Sequence, residues 1–305
     1  MLIREALFAG TKKLSRHREE WSSNALDAEL LLAFALKKPR EFLYSHNERP
    51  LPPAAAKRYR AYLARRLRHE PVAYILGAKE FFGLKIEVKK RCTLIPRPET
   101  EILVEKALEL LKSPNTKFQI PNSKYQIIDV GTGSGAIAVA VAQNMPQVRV
   151  IATDNSACAL RVARQNARLH GVASLVKFTK ADILQPTLSP IPYSLSTIHY
   201  PLSPSPLILA NLPYVPTREW QKLPPEIRRY EPRAALDGGR DGLTLYRRLL
   251  AQINQRSIKS FTLLAEIHPE QKTAFRRLIK KYWPKAQIAF HQDLAGKIRV
   301  VETMV

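Results

Sequence analysis

The sequence predicts an α/β chain. A mostly parallel seven-stranded sheet carries helices on its faces and ends in an antiparallel C-terminal strand, and a small all-helical domain and a β-hairpin linker precede it. Three observations predict this. From about residue 99, strand-like runs alternate with helical patterns, as the strands and crossover helices of a parallel sheet do. Asp129-Val-Gly-Thr-Gly-Ser-Gly135 leads from a buried strand into a helix. The last two strand-like runs, 287–292 and 299–305, are joined by a few residues around Gly296, too few for a parallel crossover.

The elements follow in order. Ala25–Leu36 is rich in strong helix formers, with Asn24 or Ser23 as N-cap and Pro39 as the stop. Pro52-Pro53 opens another helix, with Tyr59, Tyr62, Leu63 and Leu67 on one face. Between residues 72 and 96, Val72–Leu76 and Phe81-Phe82 flank Gly77 and Gly83, and Leu84–Val88 alternates apolar and polar, which reads as a short hairpin. A helix over 99–112 and a polar loop over 113–123 follow. Strands are expected at 126–130, 148–154, 176–182, 207–210 and 260–267. Residues 185–206, with several Pro and Ser and no periodicity, read as a loop insertion.

Composition narrows the class. A length of 305 residues fits one large or two modest domains. With 45% hydrophobic and 25% charged residues, the chain is ordinary for a globular protein, and disorder throughout is excluded. No run approaches the length of a transmembrane helix, and the N-terminus lacks a signal peptide pattern. The two cysteines, Cys92 and Cys158, exclude a disulfide scaffold and a four-cysteine zinc site, and suggest a reducing cytoplasm. The net charge of +23 implies attraction to something acidic, such as RNA, a ribosome or an acidic protein. It peaks at Lys57, Arg58, Arg60, Arg65, Arg66 and Arg68, and again at Arg276, Arg277, Lys280, Lys281 and Lys285; each cluster is either a partner surface or a solvated helix face.

The glycine loop points to a ligand. Its Gly-x-Gly-x-Gly spacing lets the backbone turn sharply and approach a bound molecule, and differs from the Gly-x-Gly-x-x-Gly of dinucleotide binders. Asp154 ends the next strand, where a carboxylate can accept both hydroxyls of a ribose. Asp182 ends the third. Alone, a glycine turn is often only a turn, and Asp154 can be a helix N-cap. Three such features on successive strand ends indicate a nucleoside-containing cofactor, S-adenosylmethionine ahead of a nicotinamide.

The fourth strand runs into Asn211-Leu-Pro-Tyr214. Here the sequence resembles the amino methyltransferases, which methylate planar nitrogens: adenine N6, cytosine N4 or a glutamine amide. Such a nitrogen is a poor nucleophile because its lone pair is delocalised. Two fixed acceptors can hold its two N–H bonds and aim it at a methyl donor; the resemblance implies that these are the Asn211 side-chain oxygen and the carbonyl of Leu212. Pro213 stiffens the turn, and the Tyr214 ring can pack on the flat amide or base. No metal is called for. Leu212 departs from the commoner Pro-Pro tetrad. Asn-Leu-Pro-Tyr also occurs in ribosomal RNA adenine dimethyltransferases, so the tetrad alone leaves the substrate open.

The flanks carry a more specific resemblance. Arg68-His-Glu-Pro-Val-Ala-Tyr-Ile-Leu-Gly77, Glu80-Phe-Phe-Gly83, Leu94-Ile-Pro-Arg-Pro-Glu-Thr-Glu101, Tyr230-Glu-Pro-Arg-Ala-Ala-Leu-Asp-Gly-Gly239 and Asp241-Gly-Leu243 resemble the peptide chain release factor glutamine N5-methyltransferases. Asp27-Ala-Glu-Leu-Leu-Leu32 resembles their N-terminal helical domain. The resemblance implies a Rossmann-like class I S-adenosylmethionine-dependent methyltransferase domain over 97–305, a β-hairpin linker over 72–96 and a release-factor-binding helical domain over 1–71. It implies S-adenosyl-L-methionine as cofactor, S-adenosyl-L-homocysteine as product, and the glutamine of the Gly-Gly-Gln loop of class 1 release factors as substrate. Gly131, Thr132, Gly133, Ser134, Gly135, Asp154, Asp182, Ile183 and Asn211 would hold the cofactor. Asn211, Leu212, Pro213 and Tyr214 would bind the amide, with Asn211, Pro213 and Tyr214 catalytic. Arg97, Glu99 and Glu101 would shape the pocket mouth or anchor the linker through salt bridges, and the 230–239 block would border the site or form a packed turn. A cytoplasmic monomer is expected, with RNA or ribosome contact through the basic clusters open and no membrane partner. Methylation of ribosomal RNA adenine or of a large-subunit ribosomal protein glutamine are the alternatives, with a non-catalytic RNA- or ribosome-binding protein on the same scaffold as a third.

Overall fold

A computed structural model describes residues 1–15, 24–113, 125–186, 202–256, 258 and 260–305. Its elements, in chain order, begin with α1 (Ile3–Ser15), α2 (Asn24–Leu36), α3 (Glu41–Ser45), α4 (Pro53–Arg66) and α5 (Val72–Leu76), then β1 (Ala78–Phe81), β2 (Leu84–Glu87), α6 (Glu101–Lys112), β3 (Tyr125–Val130), α7 (Ala136–Asn144), β4 (Val150–Asp154) and α8 (Ala157–Leu169). There follow β5 (Val176–Asp182), β6 (Gln185–Pro186), β7 (Leu202–Ala210), α9 (Thr217–Trp220), α10 (Pro225–Tyr230), α11 (Thr244–Gln255), β8 (Thr262–Glu266), α12 (Lys272–Tyr282), β9 (Gln287–Gln292) and β10 (Ile298–Met304). They divide into two compact units, Met1–Ala78 with Pro224–Tyr230, and Lys79–Leu223 with Glu231–Val305.

The first unit is helical. Ile3, Ala6, Gly10 and Leu14 recur at helical spacing on α1 and are buried, as are Ala55, Ala56, Tyr59 and Leu63 on α4. With Leu31, Leu32 and Ala35 of α2 and Ile75 of α5 they form one core. Gly10 is required by close packing: a Cβ there would lie 1.9 Å from the Tyr59 hydroxyl. Pro53 starts α4 at the position where a missing N–H costs nothing. Val72–Leu76 is a helix, where the sequence pattern suggested an extended flank of the hairpin; so short an apolar run has no decisive period. The Ser23 cap alternative lies outside the described residues.

Half of the first basic cluster is turned to internal partners. Arg58 donates to the Ala35 carbonyl at 2.9 Å, Arg65 pairs with Glu70 at 2.9 Å, and Arg66 bridges Asp27 at 2.7 Å and Glu226 at 3.0 Å. Lys57, Arg60 and Arg68 are exposed. Arg66 is 7% exposed and holds α2 and α10 against α4.

The second unit is a sheet in the order β6-β5-β4-β3-β7-β8-β10-β9, seven long strands and the two-residue β6. Strands β3, β4, β5, β7 and β8 pair in parallel, and β10 is antiparallel to both β8 and β9. Consecutive residues go to opposite faces: Ile127, Leu207, Leu209 and Leu264 join a core with α6 and α7, while Ile128, Ile208, Ala210 and Leu263 join one with α11 and α12. The predicted strands are present with shifted ends. Within the expected insertion, β6 and the start of β7 are strands, and residues 187–201 lie outside the described residues, as do 114–123 of the polar loop. Successive crossovers run from β3 outward through β4 to β5, then return to β7 on the other side of β3. That reversal opens a crevice at the carboxyl ends of β3 and β7.

The hairpin turns at Phe82 and Gly83, with φ of 51° and 72°, both positive as a two-residue turn of matching twist requires. The buried Asn166 of α8 pins β2: its Oδ1 accepts from Glu87 N at 2.8 Å, and its Nδ2 donates to Glu87 O at 3.0 Å and Ser134 O at 2.8 Å. The chain beyond β2 thereby passes the first turn of α8, and Cys92 and Cys158, 66 residues apart in sequence, form a disulfide with Cα atoms 5.7 Å apart. The sequence, which excludes a disulfide scaffold and suggests a reducing cytoplasm, does not signal this single bond, because spacing along the chain says nothing of two segments pinned side by side.

Replacing Arg66 by Ala leaves Asp27 and Glu226 without their shared cation. We expect a loss of about 3 kcal/mol, the scale for breaking a buried ion pair from one side, read as a lowered urea midpoint with unchanged slope.

Candidate active site

The loop after β3 is tied down before any ligand arrives. Gly131 N and Thr132 N both donate to Thr153 O at 2.9 Å, coupling the ends of β3 and β4. The Thr153 hydroxyl donates to Ile183 O at 2.9 Å, adding the end of β5. Beneath the loop, Asp129 is fully buried and accepts from the Thr132 hydroxyl at 2.6 Å. Burial, with the Asp154 charge nearby, pushes its carboxyl up to about 7. Gly131 has φ +75°, and a Cβ on it would lie 2.9 Å from Leu212 Cδ2, so the first glycine also serves the tetrad.

Asp154 is held by two backbone amides. Its Oδ2 accepts from Gly133 N at 2.9 Å and its Oδ1 from Ser156 N at 2.8 Å. The N-cap of α8 is Ser156, whose hydroxyl accepts from Ala159 N at 3.2 Å. Asp154 is thus oriented by the glycine loop and is not the cap. Burial raises its pKa against the hydrogen bonds that lower it.

One cavity of 330 Å³ collects the sequence candidates. Gly131, Thr132, Gly133, Ser134, Asp154, Asp182, Ile183, Asn211, Leu212 and Pro213 line it, joined by Arg91–Leu94, Pro96, Arg97 and Arg248. Two candidates stand outside. Gly135 lies behind the wall, where a Cβ would meet Ala163 at 3.0 Å, so its need is helix packing. Tyr214 turns into the core and donates to Glu266 Oε1 at 2.9 Å. Asp182 lines the rim but is paired with Arg248. Ile183 adopts φ +61°, an outlier for a β-branched residue, held by the Thr153 hydroxyl on its carbonyl.

The tetrad is fixed from several sides. Asn211 Nδ2 donates to Thr100 Oγ1 at 3.1 Å, so its amide oxygen is the end left for another molecule. Leu212 N donates to the Tyr246 hydroxyl at 3.3 Å, a bond that a proline at 212 would lack. The Leu212 carbonyl accepts no hydrogen bond among the described residues. Tyr214 O accepts from Gln271 Nε2 at 2.8 Å. Glu266, 1% exposed, takes the Tyr214 hydroxyl; burial raises its pKa.

The flanking blocks brace this loop. Glu231, buried, pairs with Arg97 and accepts from Ile95 N at 3.2 Å. Arg97 therefore both lines the cavity and anchors its own loop. Glu99 lies 3.8 Å from Arg299, and Glu101 accepts from Phe82 N at 2.9 Å, so neither shapes the cavity. Residues 231–239 both border the site and form a packed turn: Pro232, Ala234 and Ala235 line the cavity, Val215 N donates to Leu236 O at 3.0 Å, and a Cβ on Gly238 would lie 2.4 Å from Pro213 O. Sequence reading took Thr100 only as part of the 94–101 block and missed Tyr246, Glu266, Gln271 and Asn166, none of which stands in the tetrad or the glycine loop.

Residues 5–77 match the PrmC N-terminal domain and residues 121–200 a methyltransferase domain. The release factor glutamine methyltransferase of Moorella thermoacetica is 37% identical over 299 residues, covering 98% of this chain and 97% of the relative. That of Chlorobaculum tepidum is 38% identical over 263 residues, covering 86% and 85%. Among solved structures, the hMettl16 catalytic domain in complex with a MAT2A 3′UTR hairpin covers 90% of this chain and 91% of its own, with a TM-score of 0.53 at 16% identity, a likeness of fold alone. With identity at this level over nearly the full length of both sequences, the chain belongs to the release factor glutamine methyltransferase family.

Proposed function

We propose that this chain transfers a methyl group from S-adenosyl-L-methionine to the side-chain amide nitrogen of the glutamine in the Gly-Gly-Gln loop of class 1 release factors. The observation that carries the reading is the oriented amide of Asn211 on the wall of the cavity that Asp154 and the glycine loop also line. Release factor substrates place the reaction in the cytoplasm, at translation termination.

The cavity suits the cofactor. The glycine loop gives a close backbone approach, and Asp154 offers a fixed carboxylate to a ribose and favours a ligand that brings positive charge. Gly131, Thr132, Gly133, Ser134, Asp154 and Ile183 would hold it, with Asp182 at the rim. When bound, it supplies a methyl on a sulfonium and a neutral sulfur to leave. The chain supplies position: Asn211 Oδ1 and Leu212 O accept the two N–H bonds of the substrate amide, which orients its nitrogen and favours the positive charge that develops there. Pro213 holds the turn, and Tyr214 supports it from the core side. We further assign release factor docking to the helical residues 1–71, a linking role to 72–96 and methyl transfer to 97–305.

The direct test is incubation with labelled cofactor and a release factor. Label is expected on the Gly-Gly-Gln glutamine by mass spectrometry; labelling that survives a Gln-to-Ala change there refutes the assignment. Asn211→Ala should lower kcat/KM by about 10²–10³-fold, the scale for one lost transition-state contact, with S-adenosylhomocysteine affinity nearly unchanged by calorimetry. Asp154→Ala should weaken that affinity by about 1.5–3 kcal/mol, as for a charged acceptor. Asp129 gives a pH signature. Its folded pKa of about 7 lies above its ordinary 3.8, so the folded state keeps a proton that the unfolded state sheds, and stability falls as pH rises through that window. Asp129→Asn should therefore gain on the parent by about 1.4 kcal/mol per pH unit between pH 4 and 7, measured by urea unfolding at each pH.

A further inference from the structure

The disulfide sits in the cavity wall. Cys92 is 8% exposed and lines the cavity, within the stretch Arg91–Leu94 that closes one side. Cys158 is half-buried in the first turn of α8, two residues after Ser156, whose amide holds Asp154. The bond thus fastens a wall segment to the turn that orients the ribose acceptor.

That segment needs fastening. Cys92 N and Thr93 N both donate to Lys89 O at 3.0 Å, and Lys89 N donates to Thr93 Oγ1 at 3.0 Å, closing a tight turn. Inside it Arg91 stands at φ +58°, a conformation that costs a non-glycine residue energy and persists where its surroundings impose it. The disulfide is one such constraint. The unit meanwhile has a large core on both sheet faces, of the size at which domains fold without a staple.

We propose that Cys92–Cys158 is a redox modification site that tunes cofactor binding, taken by a protein dithiol of the thioredoxin class. A thiolate of the dithiol attacks the Sγ of Cys158, the more exposed of the two residues; the bond between the two cysteines breaks, and Cys92 leaves as a thiolate and takes up a proton. The second thiol of the dithiol then attacks the mixed disulfide and frees Cys158 as a thiol. The partner ends oxidised and this chain gains two electrons and two protons. Reoxidation by a protein or glutathione disulfide is the reverse. Once reduced, the Arg91–Leu94 wall loses its tether, and ligand binding must order it.

The inference rests on the cavity being the cofactor site, so the test reads binding and not turnover. The full chain is equilibrated with dithiothreitol or with its oxidised cyclic form, thiols are counted under denaturing conditions, and S-adenosylhomocysteine affinity is measured by calorimetry. Two thiols should appear on reduction and none on oxidation, with affinity falling about fivefold or more on reduction, as ordering a loosened segment demands. Cys92→Ser and Cys158→Ser should bind like the reduced parent under both conditions. Affinities of the two parent forms within about twofold, or two thiols persisting under oxidant, overturn the inference and leave the cofactor reading standing. No binding in either state overturns both. Comparing two redox states of the unaltered chain keeps a misfolded variant from deciding the outcome.

Discussion

The buried hydroxyl of Tyr246 is the contact on which the geometry of this protein turns. It lies 3.3 Å from Leu212 N and 3.2 Å from Ala210 O, and it also donates to Glu266 O. Those three groups are the ends of β7 and β8, and the side chain that joins them comes from α11. Tyr246 is fully buried, so water does not compete for these bonds, and a misplaced partner would leave a polar group unsatisfied in the core. The tetrad begins at Asn211, directly after Ala210. Its backbone path is therefore set by a hydroxyl outside the motif. Leu212 makes sense in this light: it gives up the stiffness of a second proline and gains an amide N–H for Tyr246, while its side chain lies over Gly131.

A second layer fixes the reacting end. Asn211 is oriented by Thr100, 111 residues away, and Tyr214 by Glu266, 52 residues away. Arg97 and Glu231 lock the loop that follows the disulfide to the turn behind the tetrad. Positioning catalysis tolerates little play, since small misplacements cost large factors in rate. It is consistent that the tetrad's neighbours are glycines that admit its carbonyls and the hydrogen-bonded side chains of Thr100, Tyr246, Glu266 and Gln271, the last three largely out of water. Gly238 and Gly242 are read from the sequence only as part of a block; their closeness to Pro213 O and Tyr214 O explains why side chains are excluded there.

What the sequence made legible was local. The 2.0 and 3.6 periods marked the strands and helices because both faces of the sheet and one stripe of each helix are buried. The glycine loop and tetrad were readable because their chemistry is contiguous. What stayed hidden was long-range. Thr100, Tyr246 and Glu266 have no signature of their own, since each matters through a partner tens of residues distant. The basic run in α4 was ambiguous because half of it faces inward: Arg65 and Arg66 meet Glu70, Asp27 and Glu226, which lie outside any window that reads the run itself. Tyr214 was placed against the substrate by its motif, whereas the apolar side of α11 and α12 and the carboxyl of Glu266 draw it into the core. The cysteines misled for a like reason. Compartment and spacing were the only sequence signals, and neither registers that Asn166 lays the segment after β2 along α8.

The charge layout of the cavity follows from the same packing. Its rim carries Arg97 and Arg248, each already paired, with Glu231 and Asp182. Its lining carries Asp154, half-buried and raised by burial, and Arg91, while Asp129 lies beneath the glycine loop and outside the lining. The paired rim groups offset one another, and Asp154 has no cation partner among the described residues. On the proposed reading Asp154 would attract a cofactor that brings positive charge, and desolvation would strengthen that attraction inside the cavity. The product's sulfur is neutral, so the same carboxylate would hold the product less firmly than the substrate cofactor. Site electrostatics would then favour exchange after each turnover without any moving part.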